Sequence, residues 1–121
     1  MKERLREYCK AQTGCQEKFI KDWNAWNYTV GGGKMFAIIG KDKEKRSIIS
    51  LKGGDPEKSE TLRIEYEAIN PGYYLNKTHW NSICYENQEI TFEFIQHLID
   101  ESYSLVFPSL PKKKQKEIQS G

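Results

Sequence analysis

Apolar positions recur at helical spacing near the two ends of the chain and alternate through its middle. Leu5, Tyr8 and Cys9 fall at i, i+3 and i+4, and Thr13-Gly14 supplies a stop, so residues 2–12 are predicted as a first helix. The stretch EKFIKDWNAWNYTV predicts strands at about 16–20 and about 25–30. In the second, Trp26, Tyr28 and Val30 alternate with Asn27 and Thr29. GGGK (31–34) is a hairpin turn, because glycine tolerates the positive φ such tips demand. MFAIIG (35–40) returns as a strand, and SIISLKG (47–53) follows the charged connection KDKEKR.

Asp55-Pro56 then opens a helix, with an N-cap side chain before a proline suited to the first turn. Ser59, Leu62, Tyr66 and Ile69 form its inner stripe, and Asn70-Pro71-Gly72 closes it. WNSICYE (80–86) reads as another strand. Thr91 caps a last helix that carries Phe92, Ile95, Leu98, Ile99, Ser102 and Leu105/Val106 on one face and closes before Pro108. The order α-β-β-β-β-α-β-α predicts an α+β domain, an antiparallel sheet with helices packed on one face. The domain is expected over residues 1–110. Residues 111–121 lack apolar periodicity and read as a flexible basic tail.

Composition fits one globular domain: 121 residues, 37% hydrophobic, 30% charged and 12% aromatic. The longest apolar run, MFAII, is too short to cross a membrane, and MKERLREYCK has no signal-peptide core. A cytoplasmic location is expected. Cys9, Cys15 and Cys84 show no metal-ligand spacing, and His79 and His97 add no pair to them, so no metal and no cofactor is expected. No nucleophile lies beside an activating base, which argues against an enzyme.

The net charge of +2 permits an acidic partner without demanding one. GGGK sits between strands and lacks the frame of a phosphate-binding loop. Together with KDKEKR it gives two neighbouring hairpins with basic tips, resembling wings that straddle a duplex. PKKKQK (111–116) concentrates four lysines near the C-terminus. The densest mixture of functional groups is PGYYLNKTHWNSI (71–83). Strand alternation sets Trp80 opposite His79 and Asn81, so a buried Trp80 would anchor the strand. His79, Asn81 and Lys77 would then face a partner.

Several separate motifs closely resemble the MmcQ/YjbR family. They are Gly33-Lys34-Met35-Phe36, Leu51-Lys52 with Asp55-Pro56, Leu75-Asn76-Lys77 through His79-Trp80-Asn81, and Ser102-Tyr103 with Leu105-Val106. The resemblance covers about residues 1–110. It implies a CyaY-like fold and DNA binding by a double-wing arrangement. Two departures stand out: Tyr74 replaces a histidine usual in the family, and Lys21-Asp22-Trp23-Asn24 replaces a Pro-Phe-Gly-like turn. The CyaY-like fold also raises iron binding, against which the basic-leaning first helix argues.

The expected function is therefore that of a non-catalytic DNA-binding domain. Lys34, Lys52, Lys77 and the tail lysines would contact phosphates, His79 and Asn81 would hydrogen-bond backbone or bases, and Tyr73 or Tyr74 would stack. The alternative is a protein- or small-ligand-binding module in which Tyr73, Tyr74, His79 and Trp80 line a pocket.

Overall fold

The computed structural model describes residues 1–73 and 75–120. A six-stranded sheet runs in the order β1-β2-β3-β4-β6-β5, every neighbour antiparallel. Its strands are β1 (Gln16–Ile20), β2 (Ala25–Val30), β3 (Lys34–Lys41), β4 (Ser47–Lys52), β5 (Ile69–Pro71) and β6 (Trp80–Cys84). The helices are α1 (Lys2–Lys10), α2 (Pro56–Glu65), α3 (Phe92–Val106) and α4 (Lys112–Ser120). The α+β class and the antiparallel sheet agree with the sequence reading.

Register explains why α1 and α3 cover one face. Trp26, Ile39, Ile49, Ile83 and Ile69 lie across from one another in a single row. Leu5 and Cys9 of α1 and Ile95, Ile99 and Val106 of α3 join most of that row in one buried cluster. The caps are those the sequence calls for: Asp55 Oδ1 accepts from Glu57 N at 2.9 Å, and Thr91 Oγ1 accepts from Phe94 N at 3.1 Å.

The adjacent row, Lys18, Asn27, Ile38, Ser50, Ser82 and Asn70, points to the opposite face. Ile38, Ile48, Ser50 and Ser82 are nonetheless buried there. Ser50 and Ser82 join their hydroxyls at 2.6 Å, and Tyr73 N–H donates to Ser82 Oγ at 2.9 Å. The segment after β5 thus folds back over this face. Burial on both sides accounts for the unbroken apolar run of β3.

A bulge interrupts the β2–β3 ladder. Tyr28 pairs with Ala37 and Thr29 with Met35, leaving Phe36 as the extra residue. Its ring meets Tyr103 edge-on at 5.3 Å, and its carbonyl accepts from Ser102 Oγ at 2.6 Å. The same hydroxyl accepts from Lys52 N–H at 3.0 Å. One serine therefore ties α3 to β3 and β4.

Two elements depart from the sequence reading. The second helix ends at Glu65, where Tyr66 turns to φ −123° and ψ 115° and lays its ring against Phe94 at 4.9 Å. Ile69 then enters a three-residue strand, too short to show alternation, and meets Ile83. The reading of 111–121 as a flexible tail also needs correction, since residues 112–120 form α4 (Gly121 lies outside the described residues). Ile118 packs at Gly14 and Leu110 packs at Gly31, where an added Cβ would come within 2.6 Å of either side chain. Gln115 Nε2 donates to Leu110 O at 2.8 Å. A helix held by one isoleucine and one glutamine leaves no periodic stripe to read.

Candidate functional site

The crowded stretch around residues 71–83 is largely a built corner. Asn76 Oδ1 accepts from Thr78 N–H at 2.8 Å, and Asn76 O accepts from Trp80 N–H at 3.0 Å, which closes a tight turn. Gly72 N–H donates to Trp80 O at 2.7 Å, and a Cβ on Gly72 would sit 2.7 Å from that of Trp80. Trp80 is 9% exposed, as an anchor should be.

Asn81 corrects the sequence reading. Alternation does set it opposite Trp80, but that side is the helix-covered face, where Asn81 is 5% exposed. Its Oδ1 accepts from Arg63 Nε at 2.6 Å, and its Nδ2 donates to Ser59 O at 3.3 Å. It serves the α2 contact and cannot meet a phosphate from there. Arg63, not singled out in the sequence, also donates through Nη2 to the carbonyls of Lys77 and Trp80. Its signal was faint: an arginine at the end of a helix ordinarily reads as a solvated charge.

The other predicted residues lie as follows. His79 and Lys77 are exposed in the turn, and Lys77 Nζ donates to Gly72 O at 3.3 Å. Tyr73 is 38% exposed, while Tyr74 lies outside the described residues. Lys52 is half-buried on the same face as Trp80, with which it pairs. Lys34 is exposed and pairs with Val30, a residue of the helix-side core. Lys34 and Lys52 therefore share one end of the sheet without sharing a face. A cavity of about 30 Å³ lies between α2, α3 and the sheet, lined by Leu62, Ile69, Ile83 and Leu98 among others. Tyr73, His79 and Trp80 do not line it, and it has room for a water or two only.

Topology separates the two basic tips. Hairpins that share β3 must turn at its opposite ends, so the glycine turn and the 42–46 turn stand roughly 26 Å apart, at ~3.3 Å per residue. They cannot act as side-by-side wings. The second tip is also partly neutralised. Asp42 accepts from Glu44 N, Arg46 N and Arg46 Nε at 2.9, 3.0 and 2.8 Å. Burial alone would raise the Asp42 carboxyl, but these hydrogen bonds and the Arg46 charge hold it below the usual range.

Lysines gather instead at the glycine turn. Leu110 seated on Gly31 brings the start of α4 to this end, where Lys34 also stands. Lys112, Lys113 and Lys116 take part in none of the ion pairs found among the described residues, while Lys114 reaches Glu117 at 3.8 Å. Acids are carried mainly by two helices: Asp55, Glu57, Glu60 and Glu65 on α2 and its cap, and Glu93, Asp100 and Glu101 on α3, with the Asp55 cap following Lys52 at this same end of the sheet. Among the described strands the only acid is Glu17.

Glu17 belongs to the fold's interior. It accepts from Arg6 Nε and Nη2 at 3.1 and 3.2 Å and from the Tyr28 hydroxyl at 2.7 Å, while Arg6 lies 3.9 Å over the Trp26 ring. Burial pushes its carboxyl up, but the Arg6 and Tyr28 hydrogen bonds with the Arg6 charge outweigh this and hold it below the ordinary value. A depressed carboxyl gives stability that is full above the unfolded pKa and lost as pH falls through the folded one. Glu17→Gln is expected to cost about 1–3 kcal/mol at neutral pH. Its deficit against the parent should shrink below about pH 4, the region where an unperturbed glutamate titrates. Thermal melts of both proteins from pH 3 to 7 check this, and a pH-independent gap would contradict it.

Burial pushes the thiols up, Cys15 to about 11, so they stay protonated at neutral pH. Among the described residues no three His, Cys, Asp or Glu side chains are grouped to hold a metal ion, and no helix is long and apolar enough to cross a membrane.

Comparison with known proteins places these features in a family. The YjbR family model matches residues 10–105. The chain is 34% identical over 112 residues to YjbR of Escherichia coli strain K12, covering 93% of this chain and 92% of that protein. It is 39% identical over 92 residues to YbdF of Escherichia coli O157:H7, covering 74% and 71%. Both relatives are described as uncharacterised. A Deinococcus radiodurans crystal structure labelled with domain DUF419 superposes with a TM-score of 0.84 at 30% identity, covering 98% of this chain and 88% of that one. A Pseudomonas syringae structure gives 0.75 at 19% identity, covering 88% and 98%, a likeness of fold alone. On the family match and these identities, the chain belongs to the YjbR family.

Proposed function

We propose that this protein is a non-catalytic domain that binds nucleic acid chiefly through phosphates. The observation that carries the reading is a gathering of lysines. Lys34, Lys112, Lys113 and Lys116 collect at the glycine-turn end, and the three on α4 take part in none of the ion pairs found among the described residues. Lysines set around a docked helix form a field that an anionic backbone enters at little reorganisation cost. Lys77 and His79 stand exposed at the same end of the sheet, just before β6, and extend the contact surface.

Fluorescence-anisotropy titration of labelled DNA, at low and physiological salt, tests the reading. The protein carrying Lys112→Glu, Lys113→Glu and Lys116→Glu should bind at least tenfold more weakly at low salt. Its log K against log salt slope should fall by about two to three, one unit for each phosphate no longer neutralised. These side chains are exposed, so the melting curve should be retained. Unchanged affinity in the triple variant would remove α4 from the interface, and no binding by the parent at low salt would end the reading.

A further inference from the structure

At the end of the sheet away from the glycine turn, α1 begins at Lys2 beside a partly enclosed cavity of about 70 Å³. Two adjacent rows of the helix-side face build its floor. Phe19, Trp26 and Ile39 form the apolar row, paired across β1, β2 and β3. Lys41 and Ser47, paired across β3 and β4, stand two residues further along on the same face. Asn24 joins this polar row from the turn before β2, and the buried Tyr85 lines the cavity from beyond β6. Two lysines and no acid are among the lining residues. Of the acids near this end, Glu3 meets Arg6, and Asp42 and Glu44 meet Arg46. Asp22 and Glu86 stand outside the lining.

We infer that this cavity binds a small branched-chain carboxylate. The apolar row receives the body of the molecule. Its wall is held in place beforehand: Arg6 lies 3.9 Å over the Trp26 ring, and Phe19 meets the same ring edge-on at 4.9 Å. The polar row receives the head. Lys41 and Lys2 bring ammonium groups, and the Ser47 hydroxyl and Asn24 amide can donate to carboxylate oxygens. Cavity size sets the body. A water molecule takes about 30 Å³ of the liquid, so the space fits a branched group of roughly three carbons. A dry cavity known to admit benzene is about twice as large, which argues against an aromatic ring. Positive charge without a lining acid favours an anion over a neutral or cationic molecule of the same shape. The site lies at the opposite end of β3 from the glycine turn, so it is separate from the proposed phosphate surface.

The test is a titration of the full chain with isobutyrate, followed through backbone and indole N–H chemical shifts. Gly40, Ser47 and the Trp26 indole should shift saturably while the α4 amides stay still. Acetate lacks the body and isobutyramide is the neutral isostere. Each should bind at least about fivefold more weakly, the first for lost burial and the second for lost charge-assisted hydrogen bonding. Benzoate, too large for the cavity, should do no better than acetate. Lys41→Gln, at an exposed position, should narrow the advantage of isobutyrate over the amide to about twofold. Ser47→Val puts methyl groups into the cavity and removes a donor, so the saturable shifts should vanish while the melting temperature is retained. Should Ser47→Val fail to fold, the ligand series and Lys41→Gln decide alone. Isobutyramide binding as tightly as isobutyrate would overturn the carboxylate assignment. Without saturable shifts at Gly40 and Trp26, the cavity belongs to water and the site is overturned.

Discussion

Ser102→Ala is expected to lower the unfolding free energy by about 2–4 kcal/mol, the cost of leaving a donor and an acceptor unmet in the interior. The hydroxyl is fully buried, donates to Phe36 O at 2.6 Å and accepts from Lys52 N–H at 3.0 Å. Phe36 is the bulge residue, so its carbonyl sits at a break in the β2–β3 ladder, and the helix supplies the donor. Removing one oxygen therefore strikes α3, β3 and β4 at once. Alanine leaves little void, which makes the loss one of hydrogen bonding more than of packing. Urea unfolding of the variant, beside Ser104→Ala on the exposed side of α3, measures the difference. A loss below about 1 kcal/mol would mean that water or the ladder takes over both groups.

The sequence predicted an apolar stripe through Ser102 and could not show why a serine belongs in it. Periodicity registers which face a residue occupies; it carries no record of a bulge on a strand sixty-six residues away. The same boundary runs through the rest of the chain. Trp26, Tyr28 and Val30 alternate because β2 packs one face on helices, and their pattern is local. The unbroken MFAII is equally local, since β3 is buried on both sides. What stayed hidden depended on distant partners. Ile69 looked like the end of a helical stripe because strand β6, which takes it up, lies beyond the turn at Asn76. α4 looked like a tail because Ile118 finds its place only once Gly14 has been set beside it.

The candidate site follows this logic. Alternation correctly opposes Asn81 to Trp80, yet it cannot say which of two faces the helices cover. With both faces partly closed, burying Trp80 does not expose Asn81. Lysines at the glycine turn were readable as charges in the sequence, but their gathering needed the docking of Leu110. Asn27 read as the polar side of a half-buried strand; that its Oδ1 is buried without a hydrogen-bond partner emerges only from the packing around it.

Arg63→Ala is expected to be the most damaging change on the α2 side, costing about 3–4 kcal/mol. Hydrogen bonds to a charged group contribute about 1.5–3 kcal/mol each, reduced here by overlap among neighbours. One guanidinium serves Asn81 Oδ1 at 2.6 Å, Trp80 O at 3.2 Å and Lys77 O, fastening α2 to the turn and to β6. Its planar fork reaches acceptors in different directions, which a lysine ammonium on a flexible stem does not reproduce, so Arg63→Lys should recover less than half of the loss. The consequence should also be spatially uneven. Amide exchange should quicken at Trp80, bonded to Asn76 O, and at Gly53, bonded to His79 O, before it quickens in β3. A double-mutant cycle isolates the cause, because Asn81→Leu removes the buried acceptor that Arg63→Ala strands. If Asn81 Oδ1 is the costly orphan, Arg63→Ala should cost at least 1 kcal/mol less in the Asn81→Leu background than in the parent. Equal costs in the two backgrounds would assign the effect to the turn carbonyls, and the tie to β6 would then run through the backbone alone.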